Sequence, residues 1–466
     1  MIEYYGNTIT WVPQLKPSKL ALYKQVANCI ENDILSGNLT AGFQLPSQRI
    51  IAHYLKINHS TITRAYKLCE EKGLIKGITG KGTFVSSTAG IPEDVLSEHR
   101  TDLIDMGQTL PLYEMNPIIE SHLKKILPLI DYDLILRYAP PEGHAKHRYI
   151  AAEWLNKIGF HSNLDTLLIT AGTQNALSVI LAATFKKGDR LLVDQFTYTG
   201  LKGLAKLFGI ILVPVSGDLT GINIEDLVRC CRRENPKGIY LIPDYHNPTS
   251  VTLSFQKRRE ISQIIKKYDL LLIEDGAFTF CVDEKFSAIS TLVPENAFYI
   301  YGTSKSLTPG LRISFLLAPK PYFNKLKLTL NHLTWMASPY TAEILTLLIK
   351  TSAYESILKE KQNRLKDRNA LFDTMMQAYS FSPSTYGLFR YISLPKSWND
   401  IAIERRCLEK GLQVFASKRF AVSANSVHSG LRISICAPKT WTELKNGLLI
   451  LLEVLDTYAV DSELLV

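Results

Sequence analysis

The chain has 466 residues, 46% hydrophobic and 21% charged, a globular balance in a length that points to two or three domains rather than one core. No apolar run approaches the roughly 18 residues of a membrane span, and the first residues lack the basic-then-apolar pattern of a secretory leader. Seven scattered cysteines with no Cys-x-x-Cys pair fit reduced thiols in a cytoplasm better than a disulfide framework or a zinc site, so neither metal nor membrane is expected. The net charge of +9 is unevenly placed: residues 16–85 hold ten basic groups and four acids, and ten minus four gives +6 of the total. A solvated surface explains this blandly, a polyanion-binding domain more sharply.

Between Lys19 and Gly37, Leu22, Val26, Ile30 and Ile34 recur at helical spacing, with Gly37 placed to end the helix. Ser47 is placed to cap a second helix through Ile50, Ile51, Tyr54 and Leu55. After a turn at Lys56–Asn58, His59 or Ser60 caps a third helix, with Ile62, Ala65, Tyr66 and Leu68 inward and Gly73 at its end. Residues 74–85 then read as a hairpin with a glycine-rich tip at Gly80–Gly82. Helix-turn-helix plus hairpin predicts a winged helix over residues 1–86. Ser60, Thr61, Thr63 and Arg64 at the start of the third helix suit base edges and phosphates, and Lys81 at the wing tip is placed to reach phosphate or the minor groove.

Leu45–Arg49 spells LPSQR and Gly80–Val85 spells GKGTFV. On these motifs, residues from about 19 to 86 resemble the GntR-type winged-helix domain of bacterial regulators. The resemblance implies promoter DNA as partner and DNA contact by Arg49, with Ser47 beside it in the same motif.

A polar connector, residues 87–100, precedes a region, 101–466, in which short apolar runs alternate with amphipathic stretches. TLLITAG, RLLVDQF, IILVPVS, GIYLIPD, LLLIEDG, AFYIYGT and RISFLLAP read as strands of a mostly parallel α/β sheet. Ligands in such sheets sit beyond the strand ends. There stand Gly172-Thr173-Gln174 opening a helix, Tyr198, Asn247 before a proline, Glu274-Asp275, and Lys305 among small residues ahead of Arg312. Singly, each is more often a turn or a core residue. Together and in this order they suit pyridoxal phosphate: an amine for the aldehyde, a carboxylate for the ring nitrogen, an amide for the phenolic oxygen, an aromatic face, and a phosphate cradle.

Region 101–466 resembles fold-type I aminotransferases, with a large α/β domain and a small C-terminal α+β domain, and the whole chain resembles the MocR subgroup of GntR regulators. The resemblance implies that Lys305 is the Schiff-base lysine, that Gly172, Thr173, Gln174 and Arg312 hold phosphate, that Tyr198 stacks, and that Asn247 and Asp275 hold the ring. It also implies that Arg432, in SGLRIS, receives a carboxylate, that Tyr138–Arg148 lies near the site, and that the protein is a homodimer. Two departures stand out. Ala277 and Phe278 stand where a tyrosine hydroxyl is usual, and Gly302 where a hydroxyl usually precedes the lysine, leaving Thr303 or Ser304 to compensate. The expectation is a cytoplasmic, pyridoxal-phosphate-dependent regulator that senses an amino compound, an amino acid or the cofactor itself, with weak or no transaminase activity. An active aminotransferase with an accessory DNA-binding domain, and a regulator whose large domain only dimerises, remain the alternatives.

Overall fold

The computed structural model describes residues 2–4, 7–15, 20–35, 37–71, 73–78, 80–86, 103–282, 287–423 and 429–463. The expected connector, 87–100, lies outside the described residues, as do Lys16, Lys19 and Lys72. The chain divides into two compact units, Met1–Thr101 and Asp102–Val466. Among the described residues no helix is long and apolar enough to cross a membrane.

In the first unit, α1 (Leu22–Leu35), α2 (Gln48–Leu55) and α3 (His59–Glu71) close around Val26, Ile30, Ile51, Ile62, Ala65, Tyr66 and Cys69. Leu22 is the exception in the expected stripe, being 45% exposed at the start of α1. Ser47 caps α2, accepting from the Ile50 amide at 3.4 Å. The cap of α3 is Asn58 rather than His59 or Ser60: its Oδ1 accepts from the Ser60 amide and hydroxyl, each at 2.9 Å. An asparagine just outside the first turn satisfies an amide that has no helical partner, whereas Ser60 already lies within that turn. The wing is an antiparallel pair, Ile75–Ile78 with Gly82–Val85, joined on its other edge by Gln44–Leu45. Gly80 and Gly82 take φ of +75° and +112°, which a side chain would oppose. A short antiparallel pair, Ile2–Tyr4 with Asn7–Ile9, was not among the expected elements.

In the second unit all seven apolar runs become strands of one sheet. Its order is Leu167–Thr170, Ser314–Leu317, Ala297–Gly302, Leu271–Asp275, Gly238–Leu241, Arg190–Asp194, Ile211–Val215. Six run in one direction; Ser314–Leu317 runs antiparallel to both neighbours. Strands buried on both faces read as continuous apolar runs, which is why they were legible. A smaller antiparallel sheet orders Ser380–Phe381, Phe389–Leu394, Ser429–Ser434 and Phe415–Ala416. Beside it, Ile104–Asp105 pairs in parallel with Leu412–Gln413. The long helix Ala353–Met375 packs on the unit's main apolar core through Tyr354, Ile357, Leu365 and Phe372.

Candidate functional site

On the winged helix, Arg49, Ser60, Thr63, Arg64 and Lys81 are exposed and Thr61 is half-buried. Their geometry is braced from behind. Thr63 Oγ1 donates to Gln48 Oε1 at 2.9 Å, tying α3 to the LPSQR segment. The Tyr66 hydroxyl donates to the Pro46 carbonyl at 2.7 Å and fixes the same segment from the core side. The Arg64 guanidinium lies 4.4 Å from the Tyr23 ring centroid, and Gln44 Nε2 donates to the Lys81 carbonyl at 2.9 Å. The unit thus presents Arg49 at the start of α2, Arg64 and short hydroxyls in the first turns of α3, and Lys81 at the hairpin tip.

In the larger unit the expected residues gather beyond the strand ends. Asp275 ends Leu271–Asp275 and is 3% exposed. The Tyr240 hydroxyl donates to its Oδ2 at 2.9 Å and the Ala277 amide to its Oδ1 at 3.0 Å. Burial nevertheless pushes its pKa up to about 6. Its neighbour Glu274 points to the opposite face and accepts from the Ile289 and Ser290 amides at 3.1 and 2.6 Å, a structural task. Asn247, 7% exposed, precedes a cis proline in a loop braced by His246, whose Nδ1 meets Thr249 Oγ1 at 2.8 Å.

The candidate anion cradle is built from glycines that admit their neighbours. A Cβ on Gly172, at φ +86°, would lie 2.7 Å from Arg312 Nη2. A Cβ on Gly302 would lie 2.6 Å from Thr173 Oγ1, so the Thr173 hydroxyl stands in the space that a side chain at 302 would take. Arg312 adopts φ +49° and its Nη1 donates to Ser304 Oγ at 3.4 Å. Thr303, by contrast, is wholly buried and its hydroxyl donates to the Ile313 carbonyl at 2.6 Å. Of the two compensating hydroxyls only Ser304 faces Arg312; Thr303 is committed to the backbone because the chain reverses there. The Tyr198 hydroxyl donates to Gln174 Oε1 at 3.2 Å, bringing the aromatic and the cradle together. Phe278 packs between Tyr245 and Phe389, so that position faces the core.

Lys305 follows the strand Ala297–Gly302, and its ammonium donates to the Thr109 carbonyl. Arg432, 4% exposed on Ser429–Ser434, donates to Asn247 Oδ1 at 2.8 Å and to the Gly107 carbonyl at 2.6 Å. Its guanidinium lies 4.5 Å from the Phe420 ring centroid and 5.4 Å from that of Phe415.

Sequence reading missed four supporting groups. Tyr240 holds Asp275. Lys361, fully buried, donates to the Lys305 and Leu307 carbonyls at 3.0 and 3.1 Å, and burial pulls its pKa down to about 8. Tyr354 shares a 2.7 Å hydrogen bond with Ser306, the residue after Lys305. The strand-and-turn Ile104–Thr109 meets both Arg432 and Lys305. A lysine in the middle of an otherwise inward helix face was the one available signal. An amine, a buried acid, an amide, an aromatic ring and a glycine-walled anion cradle fit pyridoxal phosphate group by group.

Residues 101–448 match the family "Aminotransferase class I and II", and residues 22–85 match "Bacterial regulatory proteins, gntR family". The HTH-type transcriptional regulator YdeF of Bacillus subtilis is 35% identical over 97% of this chain and 98% of its own length. The vitamin B6 salvage pathway transcriptional repressor PtsJ of Salmonella typhimurium is 25% identical over 88% of this chain and 93% of its own. Among solved structures, LysN, the α-aminoadipate aminotransferase of Thermus thermophilus complexed with N-(5'-phosphopyridoxyl)-L-leucine, has the same fold. Its TM-score is 0.70 at 22% identity, over 77% of this chain and 94% of LysN. A DNA-facing winged helix and a pyridoxal-phosphate fold on one chain, matched end to end by YdeF, place this protein in the MocR subgroup of GntR-family transcriptional regulators, whose second domain belongs to the class I and II aminotransferases.

Proposed function

We propose that this regulator reads the level of an amino compound through pyridoxal phosphate held at Lys305. The observation that carries the reading is that Lys305 and Arg432 converge on one stretch of backbone, binding carbonyls only two residues apart, at Thr109 and Gly107. Two residues span at most about 7 Å. An amine-reactive centre and a guanidinium at that spacing suit a ligand carrying an amino group and a carboxylate a few bonds apart.

Bound cofactor supplies an aldehyde that condenses with amines and a ring that withdraws electrons. The chain's own residues do the rest. Gly172, Thr173, Gln174, Ser304 and Arg312 hold the phosphate; Tyr198 covers the ring; Asn247 donates to the phenolic oxygen. Asp275, held by the Tyr240 hydroxyl and the Ala277 amide, would keep a proton on the ring nitrogen. Arg432 orients the ligand carboxylate, and Lys305, when displaced, is the base within reach. With Ala277 and Phe278 in place of a hydroxyl, the ring loses one tuning hydrogen bond, in keeping with sensing in preference to fast turnover.

Exposed apolar side chains support a homodimer, and seven cysteine thiols fit a reducing cytoplasm. Leu129, Tyr132, Leu136 and Tyr138 on one stretch and Leu333 and Trp335 on another are 48–80% exposed, and the Tyr138 and Trp335 rings meet at 5.6 Å. A second copy covering this face would also pair two winged helices on two half-sites. The test is a visible spectrum of purified protein titrated with cofactor and then with amino acids, alongside its sedimentation. A colourless protein that binds no cofactor refutes the sensing reading, and rapid multiple-turnover conversion of amino donor to keto acid replaces it with the enzyme reading.

A further inference from the structure

We propose that Gly107–Thr109 is a displaceable wall of the ligand pocket, and that its release on ligand binding is how occupancy reaches the DNA-binding end of the chain. The proposal rests on the reading of Lys305 and Arg432 given above. This wall belongs to the first described stretch after residues 87–102, the covalent path to the winged helix. It is not a loose end. The Ile104 amide donates to the Gly411 carbonyl at 2.9 Å and the Met106 amide to the Gln413 carbonyl at 2.8 Å. Asp105 Oδ1 accepts from the Gly107 and Gln108 amides at 2.8 and 3.1 Å and shapes the turn.

The wall's acceptors are bound by Arg432, which a ligand carboxylate would claim, and by Lys305, which the cofactor aldehyde would claim. Arg432 donates to the Gly107 carbonyl and Lys305 to the Thr109 carbonyl. A ligand carboxylate outcompetes a neutral carbonyl for a guanidinium. At Lys305, condensation with the cofactor aldehyde, with loss of one water, leaves the nitrogen at most one of its three protons. Each event removes a bond to the same three residues. The wall also carries groups awaiting partners: Gln108 is 6% exposed, and its Nε2 and the Thr109 hydroxyl are buried without a hydrogen bond. Native proteins rarely leave such groups unsatisfied, and a polar ligand would complete them. Packing links the parts. A Cβ on Gly107 would lie 2.8 Å from Phe415 Cε1, and that same ring lies 5.4 Å from the Arg432 guanidinium.

Hydrogen–deuterium exchange of the full-length protein tests this, with three probes: pyridoxal phosphate, pyridoxamine phosphate, and N-(5'-phosphopyridoxyl)-L-leucine. The last carries a carboxylate; pyridoxamine phosphate has neither carboxylate nor aldehyde. Binding of each is measured independently by dialysis and absorbance. The leucine adduct should speed exchange at the Ile104 and Met106 amides by about tenfold, the scale of one broken charge-assisted hydrogen bond, with pyridoxamine phosphate having little effect. No binding by any probe overturns the site reading itself. Binding of the adduct with unchanged or slower exchange at 104 and 106 overturns only the displaceable wall. Gly107→Ala should speed exchange without any probe. Should that variant fail to fold, Gln108→Ala should weaken the adduct at least threefold while leaving pyridoxamine phosphate binding unchanged, and equal affinity for the adduct would count against the wall as a ligand contact.

Discussion

In the winged-helix unit the candidate contact residues stand outside a small core: Arg49, Thr63, Arg64 and Lys81 are all exposed. In the aminotransferase unit their counterparts are inside: Asp275 and Arg432 are no more than 4% exposed, and each is held by named hydrogen bonds. The difference follows from what each unit would bind. A polyanion is met across water, where screened charges act additively and salt weakens them. A small ligand is met in a pocket where desolvation shifts pKa values and groups act as a network. Substitutions in the first unit should therefore act independently, and those in the second should not.

The largest effect is expected at Lys305. Lys305→Ala should abolish covalent attachment of pyridoxal phosphate, seen as loss of borohydride-fixable cofactor, with circular dichroism unchanged; a variant that still fixes cofactor at this site would undo the assignment. Next, Arg49→Ala with Arg64→Ala should weaken DNA binding additively, by about 1–3 kcal/mol for each, and lower the salt slope by roughly one for each phosphate left without its cation. Gel shifts at several salt concentrations would show this, and strong coupling between the two would break the contrast between the units. Lys361→Ala should destabilise the second unit by about 2–4 kcal/mol in urea unfolding, because the Lys305 and Leu307 carbonyls lose their donor in a buried site. Lys361→Met, which keeps the apolar stem, should cost less.

Asp275 gives a pH prediction of similar or smaller size. Its folded pKa of about 6 lies above the ordinary 3.8, so the folded cofactor-free protein holds the proton more tightly than the unfolded chain. That contribution to stability is full below pH 4 and is lost as pH rises through 6, amounting to about 2–3 kcal/mol. Asp275→Asn should flatten this part of the melting-temperature profile; an identical profile would show that burial does not strain the carboxylate. The smallest change is expected from Tyr23→Leu, which removes the ring under Arg64 and should lower DNA affinity by no more than about threefold.

The residues that the sequence made legible share a feature. Asp275, Lys305 and Gly172 sit at the ends of apolar runs, and the strands those runs form carry them to the same edge of the sheet. Gly302 read as a defect because its partner Thr173 is distant in the chain. Thr303 and Ser304 were equivalent in sequence; only the reversal into Ser314–Leu317 turned one inward and left the other beside Arg312. Asn58 caps a helix that begins at His59, earlier than a cap at His59 or Ser60 allows, and its side-chain bond to the Ser60 amide is visible only in the structure.

What the sequence alone determined was local: two units of different charge and periodicity, the helix-turn-helix, the wing, the seven strands, and the motif residues at their ends. These depend on spacing within a few residues, where hydrophobic period and turn chemistry act directly. Tertiary structure decided the rest: the antiparallel strand, Tyr240 beneath Asp275, Lys361 behind Lys305, and the wall that Arg432 and Lys305 share. The Arg432–Gly107 bond joins residues 325 positions apart and the Lys305–Thr109 bond residues 196 apart. No periodicity encodes such pairs; they form because folding the sheet and packing the long helix bring buried donors to carbonyls that would otherwise go unpaired.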